Sequence, residues 1–295
     1  MGLLRRAVQR GELILREKPL FLVPNKVHTS PGALLLSKLS TLSPRQRQQY
    51  YNLSYVHMPT NLEEGSPEYN EALALAIFQT NSIAADSNSG IFPRTARLNH
   101  GCSKAFNTIY TWRENEGALV LHALRQVKKG EELLTVYFDT KKPRDERRHY
   151  LKTMYGFECD CSVCSLPDEL SRASDDRLVR ISQLKSQFGT WANGEITGQT
   201  AVSLAREIWR LLDEEGYWSE RGQLAADAAW VAASHSDGQA TRQWAEVAQE
   251  WFGYELGKDS AQTQEMRKIV AQPMSHSVWG TRGGERVGGP GIALY

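Results

Sequence analysis

Three of the chain's four cysteines share one run, Cys159-Asp-Cys161-Ser-Val-Cys164, and the fourth, Cys102, lies well upstream. Cys-x-Cys-x-x-Cys spacing lets three thiolates converge on one ion at about 2.3 Å each, and a fourth sulfur completes the tetrahedral shell of structural zinc. Cys102 is the only thiol left to supply it. Buried cysteines otherwise behave as small hydrophobes, but three crowded into so short a polar run fit that poorly, and a redox pair fits less well than a metal. The N-terminus shows no secretory signal, so a disulfide framework is not required. The pattern therefore predicts one structural zinc ion held by Cys102, Cys159, Cys161 and Cys164. Four sulfurs leave no coordination position for a substrate.

Such a site would bring Asn99-His100-Gly101-Cys102 beside Tyr155-Gly-Phe157-Glu-Cys159, so the elements between them matter. Residues 11–23 alternate and break at Pro19, which reads as short strands. Gly32 to about Tyr55 reads as helical, with Ser43-Pro44 a cap and first-turn pair, and Glu71–Phe78 as a buried helix. Asp86-Ser-Asn-Ser-Gly90 is a loop by composition. Strands follow: Thr108–Trp112 and Ala118–Ala123 form a hairpin about Glu114–Gly117, and Glu132–Phe138 is a further strand. A basic helix over Pro143–Met154 leads to the cysteine run.

Beyond Pro167 the pattern is helical. Ala201, Leu204, Ala205, Ile208, Leu211 and Leu212 form an amphipathic stripe, and Leu224–Ala233 with Gln239–Leu256 read as an antiparallel pair joined at Asp237-Gly238. Seven of the eight tryptophans fall from Trp191 onward, and they read as interhelix packing rather than a ligand cage. The pair has a tetratricopeptide flavour without a clean period. Six glycines between Gly280 and Gly291 read as a disordered tail.

The 295 residues carry 35 Lys+Arg against 34 Asp+Glu, with 41% hydrophobic residues. That composition supports a sizeable core and argues against a nucleic-acid binder driven by bulk charge. No apolar run approaches the roughly 20 residues of a membrane span. The opening Met1-Gly-Leu-Leu-Arg-Arg reads as the approach to an ordinary first strand rather than a transit peptide.

Arg97-Leu-Asn-His-Gly-Cys102, Gly130-Glu-Glu-Leu-Leu-Thr-Val-Tyr137 and Tyr155-Gly-Phe-Glu-Cys-Asp-Cys-Ser-Val-Cys164, in that order, resemble a SET-domain lysine methyltransferase. Their spacing resembles the SMYD-like branch, particularly fungal SET proteins without the MYND finger. Residues 11–23 look like the opening strands of that fold, and the resemblance covers about residues 2–167. It implies an α+β architecture: a β-rich SET domain with a pseudoknot at 1–157, including a helical insertion over about 32–80, then a post-SET zinc segment at 158–168. A helical domain at 169–272 and the tail at 273–295 would follow.

The resemblance also implies residue roles. Tyr137 matches the catalytic tyrosine; Asn99 and His100 match a pair in the strand-crossing segment that contacts S-adenosylmethionine; Phe157 matches an aromatic packed on the adenine; Asn81 matches a further cofactor contact. Tyr110, Trp112, Phe138 and Tyr155 are candidate walls of a lysine channel. The implied partner is a protein substrate carrying a lysine, histone or otherwise. The implied setting is nuclear or cytoplasmic, with a monomeric chain, no membrane and no direct nucleic-acid contact. Two departures stand out. The resemblance places the family's Gly-x-Gly cofactor loop about ten residues before Gly11, where at most Gly2 remains, which predicts a truncated start or impaired cofactor affinity. The usual Asn-His-Ser-Cys-x-Pro-Asn is here Asn99-His-Gly-Cys-Ser-Lys-Ala-Phe-Asn107. The rival readings are a catalytically weak SET scaffold that binds partners through its helical domain, and methylation of a group other than lysine.

Overall fold

The computed structural model describes residues 6–291, and its strands are short because prolines and polar turns interrupt them. β1 (Leu13–Glu17) stops before Pro19, and β2 (Leu22–Pro24) stops at a proline that cannot donate to a ladder. The stretch expected to run as one helix from Gly32 to Tyr55 divides into α1 (Pro31–Ser40) and α2 (Pro44–Tyr51). Ser43 causes the break. Its hydroxyl accepts from Gln46 N, and Gln46 Oε1 accepts from Ser43 N at 3.0 Å, with Pro44 in the first turn.

After a linker, α3 (Pro67–Asn81) buries Ala74, Ala76 and Ile77. The segment assigned to a loop, Asp86–Gly90, is instead a tight turn and a central strand. Asp86 takes φ 55, and β4 (Asn88–Gly90) pairs antiparallel with both β3 (Ile83–Ala85) and β2. Polar composition misled because the ladder bonds are backbone bonds, and Gly90 has no Cβ to displace Phe92 and Leu22.

β5 (Asn99–His100) comes next, then the expected hairpin of β6 (Thr108–Arg113) and β7 (Ala118–Ala123), with Gly117 left-handed at the turn and β7 also paired to β1. The expected strand over 132–138 contracts to β8 (Leu134–Thr135). It runs parallel to β5, with Asn99 opposite Leu134 and His100 opposite Thr135. The strand ends there because the next backbone N–H that could extend it, on Tyr137, donates to the His100 ring instead.

α4 (Arg144–Tyr155) ends at left-handed Gly156, which turns the chain into the cysteine run. The rest is helical: α5 (Asp168–Gly189), α6 (Gly198–Glu215), α7 (Arg221–Ser234), α8 (Gly238–Glu255) and α9 (Ala261–Ala271). The Asp237 side chain accepts from Ala240 N and starts α8. Trp209, Trp244 and Trp251 fill the core between these helices, and Trp209 meets Trp251 edge-on at 5.6 Å. Trp209→Ala is expected to cost about 3–5 kcal/mol in denaturant unfolding, because a buried indole leaves a void the helices cannot close.

The glycine-rich tail, expected to be disordered, packs on the helices as far as Pro290. Val287 is buried against α6, and Val287 N and Gly288 N donate to the Asp237 carboxylate at 3.0 and 3.2 Å. Trp244 Nε1 donates to the Gly288 carbonyl. Glycines let the backbone itself lie on the helices, and a single valine supplies the apolar anchor. Composition alone does not show that anchor.

Candidate functional site

Two features meet where β5 crosses β8: a knot of sulfurs and a cleft. Cys102 follows β5, whereas Cys159, Cys161 and Cys164 come from the loop after α4. Their Sγ atoms all lie within 4.8 Å of one another, and Cys102 and Cys164 are 3.7 Å apart. A tetrahedral ion with arms of about 2.3 Å would set its sulfurs about 3.8 Å apart, so the donor set and its spacing fit zinc. Cys102, Cys159 and Cys164 are buried and Cys161 is partly exposed. Hydrogen bonds among the sulfurs hold the Cys161 thiol low and push Cys102 up, so a cation is needed before all four can ionise.

α4 backs the knot. The Arg148 side chain donates to the carbonyls of Cys159 and Cys164 at 3.1 and 3.0 Å. Fully buried Arg147 is paired with Asp175 at 2.8 Å and directs its other amino group toward Cys164 Sγ at 4.0 Å. Sequence reading passed over both arginines, since a basic helix looks the same whether its charges face solvent or thiolates. On the far side, Ser103 Oγ donates to buried Glu215 of α6, which ties the knot to the helical region.

His100 does not take the place expected of it. Its Nδ1 accepts from Tyr137 N at 3.2 Å, so its proton sits on Nε2, 3.2 Å from Cys102 Sγ. Burial pushes its pKa down to about 4. The ring is a neutral brace between the knot and Tyr137, stacked on Phe138, and it does not line the cleft. A sequence motif places the backbone of an Asn-His pair; the direction of each ring follows from its strand, and alternate residues of β5 face opposite ways.

The cleft, of about 430 Å³, does gather Asn81, Asn99, Tyr137 and Phe157. Asn81 donates both amide protons, to Ser54 O at 2.6 Å and Ile77 O at 2.8 Å, and presents its side-chain oxygen. Asn99 is held by Glu132 at 2.7 Å. The Tyr137 hydroxyl donates to Leu98 O at 2.7 Å, which leaves its lone pairs for the cleft. Burial, with Tyr155, Tyr110 and Glu132 near by, pushes its pKa up to about 12, so the phenol is neutral at physiological pH. The buried Thr135 hydroxyl also lines the cleft and has no partner among the described residues. Phe157 is exposed at the mouth.

Of the four proposed channel walls, Tyr110 and Tyr155 line the cleft, and Tyr155 lies 4.9 Å from Tyr137. Trp112 packs on Phe92, and Phe138 is sandwiched between His100 and Tyr150. Sequence reading missed Thr135 and the Ser54–Val56 linker, which has no distinguishing composition. The glycine loop expected at Gly2 lies outside the described residues.

Gly101 and Asn107 complete the frame. Asn107 is buried and bonds the backbone of Glu132 and Leu134, holding β8 in place rather than meeting a ligand. A Cβ on Gly101 would sit 2.8 Å from Phe106 N and 2.9 Å from the Ala105 carbonyl carbon. The glycine is thus required by close backbone approach. Gly101→Ala is expected to cost about 1–3 kcal/mol of stability in thermal unfolding, because backbone rather than a flexible side chain must move.

Residues 4–138 match the SET domain family. The chain is 27% identical to the histone-lysine N-methyltransferase set5 of Schizosaccharomyces pombe over 94% of this chain and 82% of that one. It is 36% identical to human histone-lysine N-methyltransferase SMYD3 over 47% of this chain and 33% of that one. With human N-lysine methyltransferase SMYD2 the figure is 37%, over 28% of this chain and 18% of the relative. The chain therefore spans most of the length of set5 and a third or less of the two human proteins. No helix among the described residues is long and apolar enough to cross a membrane.

Proposed function

We propose that the chain, whose residues 4–138 match the SET domain family, is a SMYD-like SET protein that transfers a methyl group from S-adenosylmethionine to a lysine of a protein. The observation that carries this reading is the cleft that gathers Asn81, Asn99, Tyr137 and Phe157 beside a four-sulfur knot. Its volume is within the range of cofactor sites, and the unpartnered Thr135 hydroxyl with the free Asn81 oxygen suits a polar nucleoside. Asn81, Asn99 and Phe157 would hold the cofactor. When bound, S-adenosylmethionine supplies a sulfonium methyl group for in-line displacement by an amine.

The chain's own residues set the geometry and the proton balance. Tyr137, neutral and with its proton committed to Leu98 O, is an acceptor that orients the incoming amine rather than a base that deprotonates it. The lysine must therefore arrive neutral. The aromatic walls of Tyr110 and Tyr155 favour that form, because desolvation lowers an amine's pKa. Alignment of amine and methyl then provides most of the acceleration. The same reading assigns one structural zinc ion to Cys102, Cys159, Cys161 and Cys164. It also takes the segment to 157 as catalytic, 158–168 as the zinc segment and the helices from 169 as a separate domain, in a nuclear or cytoplasmic monomer. Incubating the zinc-replete chain with a cell extract and methyl-labelled S-adenosylmethionine tests the reaction. New methyl-lysines in peptide mass spectra, absent with Tyr137→Phe, are expected; no labelled lysine above the blank would refute it.

A further inference from the structure

The seven tryptophans beyond residue 190 do not all pack between helices. Trp230 projects from α7 and is 48% exposed, although most of that helix is buried. It stands over a groove of about 370 Å³ between α5 and α7, remote in sequence from the cleft. Phe188 and Trp191 provide further aromatic wall, and Ile208, Leu224 and Val231 provide aliphatic floor. One carboxylate, Asp227, lines it without an ion-pair partner among the described residues. Its Oδ1 accepts only from Gln223, at 2.7 Å. Lys185 is ion-paired with Glu220, which also holds Lys141, and the Lys185 charge reaches Asp227 without forming an ion pair with it.

We propose that this groove binds an alkylated ammonium on an aliphatic stem, as carried by a methylated lysine of a protein. Aromatic faces attract a cation through their quadrupoles, and methylation lightens the desolvation such a site demands. Trp191 already works as a cation platform, with the Arg282 guanidinium 4.1 Å from its ring. The aliphatic floor suits a methylene chain, and an unpaired carboxylate in a recess supplies the opposite charge. Burial raises the Asp227 pKa, and the Gln223 hydrogen bond and the nearby Lys185 charge offset that only in part. Helical packing explains the buried tryptophans but gives no reason for an exposed indole beside an unpaired acid. The lysine as ligand source rests on the methyltransferase reading; the chemistry of the groove does not.

The full chain would be titrated with short acetylated peptides carrying trimethyllysine, lysine or norleucine at one central position, followed by calorimetry and indole fluorescence. The trimethyllysine peptide is expected to bind saturably, about tenfold more tightly than the norleucine peptide, which has the stem without the charge. It is also expected to bind more tightly than unmodified lysine. Trp230→Ala and Asp227→Asn should each remove about that tenfold while leaving zinc content and S-adenosylmethionine binding unchanged. Norleucine or unmodified lysine binding as tightly, affinity undiminished in both variants, or no saturation in the millimolar range would overturn the proposal. A chain that binds the peptide but transfers no methyl group would leave the groove standing and remove only the methyltransferase reading.

Discussion

Cys161→Ser is expected to strip the metal from the chain and unfold the crossing of β5 and β8. Zinc content should fall from one per chain to a small fraction of that, with a large drop in melting temperature. Structural zinc contributes about 10–16 kcal/mol to the folding of small zinc domains, comparable to the whole stability of an ordinary domain. Cys161 is the informative choice because it is the one partly exposed cysteine of the four. Serine there leaves no void, so the effect reports metal binding rather than packing. The knot is what attaches β5 to the loop after α4: Cys102 is anchored by Cys164, and His100 by Cys102 on one side and Tyr137 on the other. Loss of the metal should therefore also loosen the cleft and weaken cofactor binding. Full zinc retention with an unchanged melting curve would dismiss the four-sulfur site.

Tyr137→Phe is expected to lower kcat by about 10²- to 10³-fold, the size of effect seen when one preorganised polar group is removed from a transition state. Affinity for S-adenosylmethionine should stay at the parent value. The ring keeps its packing against Tyr155 and His100, and the Leu98 carbonyl loses one donor in a place water can reach. The contrast between turnover and binding separates an orienting role from a structural one. Unchanged turnover would take Tyr137 out of the reaction; an equal loss of cofactor affinity would make it a binding residue instead.

Three cysteines in Cys-x-Cys-x-x-Cys spacing, with Cys102 as the fourth, announce the knot, because metal geometry constrains sequence spacing tightly. The hairpin of β6 and β7 was visible in its alternation and its Glu114–Gly117 turn. β4 was not visible, since Asn88-Ser-Gly90 carries no strand-forming side chain and is held by backbone bonds to strands on both sides. The split between α1 and α2 is half visible: Ser43-Pro44 reads as a cap, but the sequence pattern alone does not separate the helix it starts from the one before. Tyr137, Asn99, Asn81 and Phe157 were brought into one cleft, whereas His100 turned to the sulfurs because neighbouring residues of a strand face opposite sides. Arg147, Arg148 and Thr135 gave no signal, because a buried arginine and a buried threonine look like surface ones until the helix and strand are placed. The tail misled for the reverse reason: its glycines describe freedom in isolation, and Val287 with Asp237 removes it.

The most direct test of the methyltransferase reading is calorimetric titration of the purified, zinc-replete chain with S-adenosylmethionine. One saturable site with micromolar affinity, weakened by replacing Asn99 or Asn81 with alanine, is the predicted result. A flat titration of the folded, zinc-loaded protein would contradict it.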